Sequence, residues 1–177
     1  MLAVYVHPAY TRYAECVLLL LVYTIWFPER PARGAVDLLA GRLDGLVWRV
    51  TLAPDGEPLV YDSIHPCGCY HLFFPTPRAR PRPAPDALEE WAFVPASLPR
   101  VAEGERPVIR LASGTHYIEQ VSLVRGLERF FFWPTGVRSA GAMRQWGRHA
   151  TAFVGRRHFD DADLLERRFE LDLAAQP

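Results

Sequence analysis

Apolar and polar residues alternate most regularly between positions 46 and 64. Two such runs, "LVWRVTL" (Leu46–Leu52) and "PLVYDSI" (Pro58–Ile64), flank the loop "APDGE". A Pro-Asp-Gly turn between alternating runs is typical of a β-hairpin. Because successive side chains of a strand point to opposite faces, one face of the first strand is wholly apolar, and we expect it to pack on the core of a half-buried hairpin. The residues on that face are Leu46, Trp48, Val50 and Leu52.

The longest apolar run, "CVLLLLVYTIWF" (Cys16–Phe27), contains 12 residues. Its β-branched and aromatic end favours a strand, and Pro28 is expected to stop it. A membrane-spanning helix needs about 20 apolar residues, so we expect no transmembrane segment. No positive charge precedes the run before Arg12 and no small-residue cleavage site follows it, so it also does not resemble a secretory signal. The run is predicted to be a buried core strand.

The second half of the chain predicts a further hairpin and then helices. Ser113-Gly114 can turn the chain between residues 108–112 and 115–124, and "ERFFFWP" (128–134) predicts a short aromatic strand. Apolar residues spaced by three and four over 139–155 predict a helix. A last helix is expected to be capped by Asp160 and to dock on the sheet. Its docking residues are predicted to be Leu164, Leu165 and Phe169.

Residues 75–86 are rich in proline and arginine, which favours an extended surface loop or linker inside one domain spanning residues 1–177. The alternative is two lobes joined there. The predicted fold class is α+β: mainly an antiparallel β-sheet or open barrel of about six to eight strands, with one or two C-terminal helices packed on it.

Composition indicates a folded protein without a strong charge preference for its partner. Half of the residues are hydrophobic, and 20 acidic residues balance 20 basic ones, every one of them arginine. Lys and Asn are both missing, which points to a GC-rich bacterial genome. Zero net charge does not favour nucleic-acid binding. Three cysteines are an odd number and too few for a disulfide framework, so we expect a reducing cytoplasm.

The segment "HPCGCYH" places His65, Cys67, Cys69 and His71 two residues apart. In a straight strand these side chains would stand roughly 6.5–7 Å apart, too far to share one metal ion. A bend at Pro66 and Gly68 could gather them, and Cys and His are suitable ligands for zinc. A further ligand could then come from His116, His149 or His158.

Two other chemistries and one structural role fit the same cluster. A Cys-Gly-Cys disulfide would be strained and prone to exchange, and a cysteine beside a histidine base could be a nucleophile. Alternatively, the cysteines are small buried apolar groups and the histidines are simply hydrogen-bonded in place.

No complete catalytic motif is present: the chain lacks a Walker loop, Gly-x-Gly-x-x-Gly, Gly-x-Ser-x-Gly and His-Glu-x-x-His. Whether the protein is an enzyme is therefore left open. The favoured function is a non-enzymatic binding or structural domain with an aromatic-rich surface for an unknown protein or small-molecule partner. The alternative is a zinc-binding or thiol-dependent protein that uses His65, Cys67, Cys69 and His71.

Overall fold

The computed structural model describes residues 3–32, 34–37, 40–66, 68–85, 91–126, 137–139 and 163–174. They form ten strands and one helix. In chain order these are β1 (Ala3–Tyr13), β2 (Cys16–Arg30), β3 (Gly41–Leu52), β4 (Pro58–Ile64), β5 (Leu72–Pro75), β6 (Ala79–Pro81), β7 (Glu105–Leu111), β8 (Ile118–Arg125), β9 (Val137–Ser139), α1 (Asp163–Arg168) and β10 (Phe169–Leu171).

Six strands form one sheet in the order β5-β4-β3-β2-β1-β9. Neighbouring strands within this sheet pair antiparallel, except that β1 and β9 run parallel. The pairs β7–β8 and β6–β10 form two separate two-stranded sheets. The predicted antiparallel sheet is therefore confirmed. Across the described residues the sheet is open and is not a barrel, and the predicted helical layer is represented there by one short helix.

One face of the six-stranded sheet, here called the hairpin face, lies under β7–β8. Trp48 and Val50 of β3 pack there with Tyr61 and Phe74, and the hairpin contributes Ile109, Ile118 and Val121. The predicted inward face of β3 is confirmed, since Leu46, Trp48 and Val50 are buried and Leu52 packs against the same cluster. The prediction of a half-buried strand is wrong, because Val47, Arg49 and Thr51 are buried as well. The reason is that β3 is a central strand with packing on both sides.

On the opposite face, α1 and β10 pack against the sheet. Leu165 and Phe169 are buried in one cluster with Leu18, Val60 and Phe73, which confirms their predicted docking. Phe169, however, lies outside the helix. The helix ends at Arg168, and Phe169–Leu171 pairs with β6. Residues 79–81 of the predicted loop are therefore a strand, and proline is compatible with it because β6 pairs on one side only.

Strand β2 continues past Pro28 to Arg30, so the prediction that proline ends it is wrong. The described pairing with β1 ends at Trp26, opposite Ala3, whereas pairing with β3 continues to Arg30 opposite Gly41. Within the described residues, the pairing of β2 with β1 ends before Pro28, so its missing N–H removes no described bond on that side.

The hairpin predicted around Ser113-Gly114 is confirmed as β7–β8. The predicted strand at 128–134, the Asp160 cap and the side chain of Leu164 lie outside the described residues. So does the predicted helix at 139–155, except Ser139, which ends β9. Among the described residues, no helix has the length and apolar character needed to cross a membrane.

Gly45 lies at a crowded position in β3. A Cβ atom there would stand 2.9 Å from Pro66 Cγ, 2.9 Å from Trp26 Cε3 and 3.0 Å from the Ile25 carbonyl oxygen. Gly45→Ala is therefore expected to lower the free energy of unfolding by about 1–3 kcal/mol, measured by urea denaturation. Gly41→Ala in the same strand is the control, because its Cβ would meet no atom within 4 Å. Equal stability of the two variants would contradict the crowding.

Candidate functional site

The segment after β4 folds into a tight turn, as the sequence predicted. The N–H of Gly68 donates to the carbonyl of His65 over 2.8 Å, and the N–H of His65 donates to the carbonyl of Cys69 over 3.0 Å. Gly68 has φ +85° and Tyr70 has φ +56°. A glycine adopts the first value without strain, which explains why the chain can reverse here.

The turn places the two predicted histidine ligands beside different carboxylates. His65 Nδ1 lies 3.9 Å from Asp44 Oδ1, whereas His71 Nε2 lies 3.0 Å from Asp62 Oδ1. By strand alternation Asp44 faces the same side as Trp48, and Asp62 faces the other side, opposite Arg49. His65 and His71 therefore contact separate acidic groups on opposite faces of the sheet.

The structure describes only some of the other predicted metal ligands. Cys69 is exposed, and Cys67 lies outside the described residues. His149 and His158, two of the suggested further ligands, lie outside them too. Within the part of the chain that the structure describes, no group of three or more His, Cys, Asp or Glu residues is arranged to hold a metal ion. Zinc binding by a site that includes Cys67 stays a prediction.

His71 belongs to a buried ionic network. Arg49 Nε donates to Asp62 Oδ1 over 2.6 Å, and His71 Nε2 lies 2.9 Å from Arg49 Nη2. The His71 ring also packs on Phe73, with ring centroids 4.1 Å apart. Burial alone would raise the pKa of Asp62, but Arg49 and His71 outweigh it, so the pKa lies below its usual value. Asp62 is thus held as a carboxylate inside the protein.

Asp44 organises the polar groups on the hairpin face. Its Oδ1 accepts the N–H of Gly45 over 2.9 Å, and its Oδ2 lies 2.7 Å from His116 Nδ1. The His116 ring lies parallel to Phe27, with ring centroids 3.8 Å apart. Since His116 belongs to the turn between β7 and β8, this contact ties that turn to β2 and β3.

Two tyrosines and an arginine continue this polar group. Arg30 Nη1 donates to the hydroxyl oxygen of Tyr117 over 3.5 Å, and its guanidinium carbon lies 5.1 Å from the Tyr117 ring centroid. The rings of Tyr70 and Tyr117 are 4.5 Å apart. Hydrogen bonding with Tyr117 raises the pKa of Tyr70 above its usual value.

A cavity of about 430 Å³ opens beside these groups, between the sheet and the β7–β8 hairpin. Its volume falls within the range of about 300–1,000 Å³ that is usual for small-molecule sites. Most of its wall is apolar, while the rings of His65, Tyr70 and Tyr117 lie close together on one side. Ser63, Glu119 and Gln120 also line the cavity. The apolar wall includes Leu46, Leu72, Phe74, Phe93, Ile118 and Val121.

A second groove, of about 650 Å³, lies near the β3–β4 turn. Its two arginines are already neutralised: Arg78 Nη1 lies 2.8 Å from Asp55 Oδ2, and Arg100 Nε donates to Glu57 Oε1 over 3.1 Å. Tyr61 borders it, and burial raises the pKa of that phenol to about 12. Although this groove is larger, its charged groups are occupied, so the smaller cavity is the better candidate for a ligand.

Sequence reasoning missed Asp44, Arg49, Asp62, Tyr70 and Tyr117. One signal was available for two of them: Arg49 and Asp62 are opposite charges inside the two otherwise uncharged strands of the first predicted hairpin. Asp44, Tyr70 and Tyr117 come from three separate segments, and no local pattern links them.

Comparisons of the chain with protein-family models, with curated proteins and with solved structures found no match.

Asp62→Asn should lower the free energy of unfolding by about 3–5 kcal/mol at pH 7, because it leaves Arg49 charged and buried without its partner. The pKa of Asp62 is depressed by folding, so its contribution is complete above the usual carboxyl value of about 4 and is lost as the pH falls further. Urea denaturation at pH 7 and pH 3 measures both effects.

The matched control is Glu119→Gln, which removes a carboxylate from an exposed pair with Arg110. Exposed pairs contribute about 0–1 kcal/mol, so this variant should unfold like the parent protein. A difference between Asp62→Asn and the parent that is the same at both pH values would contradict the proposed ionic contribution.

Proposed function

We propose that this protein is a non-enzymatic binding domain whose ligand is a small molecule with an apolar body. The observation that carries the proposal is the cavity between the sheet and β7–β8, which combines a largely apolar wall with a few polar side chains, among them His65, Tyr70 and Tyr117. Binding sites for small molecules typically have this composition: the wall supplies affinity and the few polar groups fix the orientation.

The aromatic side chains of the cavity support the proposal. Phe74 is buried and packs against Trp48, with ring centroids 5.6 Å apart, so it forms part of the floor. Phe93 and Tyr70 are largely exposed although both border the cavity. A ligand in the cavity can cover such exposed aromatic rings. Removing their apolar surface from water favours binding.

A neutral solvatochromic dye, Nile red, tests this function without depending on charge. The parent protein is expected to bind the dye with a blue shift of its emission. Ala96→Trp places a large side chain at the exposed edge of the cavity and should weaken binding at least tenfold. Ala84→Trp, at an exposed position away from the cavity, is the matched control and should bind like the parent. Equal binding by all three proteins would place the dye elsewhere, and no binding by the parent would contradict the proposed function.

The zinc- or thiol-dependent alternative is supported by the closed turn at 65–69, which leaves Cys69 accessible. If it holds, protein purified without chelator contains stoichiometric zinc by elemental analysis, and a Cys67→Ser/Cys69→Ser double variant does not. Cys16→Ser is the control, because Cys16 lies in β2 and packs on the core. Metal-free parent protein with slowly reacting thiols would reject this alternative and leave the binding domain.

A further inference from the structure

One edge of strand β8 borders the cavity. Four consecutive residues of this strand, 118–121, line it. Ile118 and Val121 also pack against the apolar cluster on the hairpin face, whereas Glu119 and Gln120 are exposed. Side chains that point inward and side chains that point outward thus line the same cavity. The cavity therefore follows the edge of β8 and not one of its faces.

The backbone along this edge is open to pairing. On its other edge β8 pairs with β7, and the two strands form a sheet of their own. Within the described residues, no third strand joins β8, and residues 118–125 make no backbone–backbone hydrogen bond outside the β7–β8 pair. An edge strand presents a row of N–H and C=O groups with which another extended chain can pair.

A second extended segment lines the cavity, and its backbone is already partly paired. The N–H of Phe73 donates to the carbonyl of Phe93 over 2.9 Å, and Phe93 forms a parallel bridge with Leu72 of β5. Phe93, Pro95 and Ala96 line the cavity. Since Pro95 has no N–H, this segment offers few donors to a ligand, and β8 provides the better edge for pairing.

Most polar side chains around the cavity both donate and accept hydrogen bonds. Hydroxyl and amide groups have both functions, and so does a neutral imidazole. These side chains are Ser63, His65, Tyr70, Tyr117 and Gln120. A ligand that carries amide groups needs donors and acceptors together, and this set can supply both.

The charges near the cavity do not favour an ionic ligand. Asp44 lies 3.9 Å from His65, and Glu119 lines the cavity, so both carboxylates would repel an anion. Arg30 lies over the Tyr117 ring and would repel a cation. A neutral ligand with polar amide groups therefore matches the charge of the cavity best.

We propose that the ligand is a short extended peptide with apolar side chains, whose backbone pairs with the outer edge of β8. Four residues of a strand extend over about 13 Å, at about 3.3 Å per residue, so a peptide of about four or five residues matches residues 118–121. Alternate side chains of the peptide point to the apolar floor at Leu46 and Phe74. This inference rests on the proposed binding function of the same cavity and adds the chemical class of the ligand.

The test uses three capped peptides with the same sequence, Thr-Val-Ile-Val-Thr. The first is unmodified, the second is N-methylated at its second and fourth amides, and the third at its third and fifth amides. Backbone groups alternate between the two edges of a strand, so each pattern of methylation blocks one edge only. Each peptide is titrated into the full chain, and its affinity is measured by displacement of Nile red.

The unmodified peptide and one methylated isomer are expected to bind with affinities within threefold of each other. The other isomer should bind about tenfold more weakly, because it loses its hydrogen bonds to β8. Ala96→Trp should weaken binding of the unmodified peptide about tenfold as well, since this residue lines the cavity. Ala84→Trp is the matched control and should bind the peptide like the parent protein. Thermal melting establishes that each variant is folded.

Amide hydrogen exchange, measured by NMR, identifies the strand that pairs with the peptide. In the free protein, the amides of β8 that point away from β7 should exchange rapidly. Saturation with the unmodified peptide should slow their exchange about tenfold. The β8 amides that bond to β7 are the internal control, because they are already paired in the free protein.

Nile red binding without displacement by the peptide, equal affinities for the two methylated isomers, or unchanged exchange of the β8 amides would overturn the peptide inference and leave the cavity's function standing. Slow exchange of the outward β8 amides in the free monomer would show that the chain itself occupies the edge. Their protection only in a dimer, detected by analytical ultracentrifugation, would show that a second copy does. Both results would overturn the inference.

Binding of neither Nile red nor the peptide would overturn the inference and the proposed function together. Displacement that is sensitive to one methylated isomer, with protection of the outward β8 amides, supports both.

Discussion

The buried ion pair between Arg49 and Asp62 constrains the rest of the structure. These residues lie opposite each other in the β3–β4 pairing, and both are almost fully removed from solvent. Side chains alternate along a strand, so shifting the pairing by one residue would place Tyr61 opposite Arg49 and leave a buried cation without a counter-ion. The register that pairs the charges also puts Tyr61 on the hairpin face with Trp48, where the β7–β8 hairpin packs.

The cavity follows from that arrangement. Strands β3, β4 and β5 provide its floor through Leu46, Ser63 and Phe74, and β8 provides part of the wall across from it. The turn of the hairpin is held by His116, which contacts Asp44 and Phe27. His65, Tyr70 and Tyr117 are thus close together on one side of the cavity, whereas most of the remaining wall is apolar.

Sequence patterns predicted strands where neighbouring residues decide the structure. The Pro-Asp-Gly turn identified the first hairpin, and Ser113-Gly114 identified the second. The register of the first hairpin was harder, because a bulge between Thr51 and Leu52 shifts the partners by one residue. That bulge brings Arg49 opposite Asp62, and no turn motif in the chain specifies it.

Properties that depend on distant partners could not be read from local patterns. Strand β2 passes through Pro28 because its pairing with β3 continues to Arg30, and Phe169 becomes a strand residue because β6 is available to pair with it. The tight turn at Pro66 and Gly68 was predictable from the residues themselves. The contacts of its histidines were not, since Asp44 and Asp62 come from different strands and point to opposite faces.

The β7–β8 hairpin covers the sheet without joining its hydrogen-bond ladder; in the described structure it pairs only with itself. Displacing it breaks side-chain contacts but leaves the pairing of β3 with its neighbours intact. Such a unit can open at a lower free-energy cost than global unfolding. Under the proposed binding function, such an opening would give wider molecules a route into the cavity, while the six-stranded sheet remains as a fixed base.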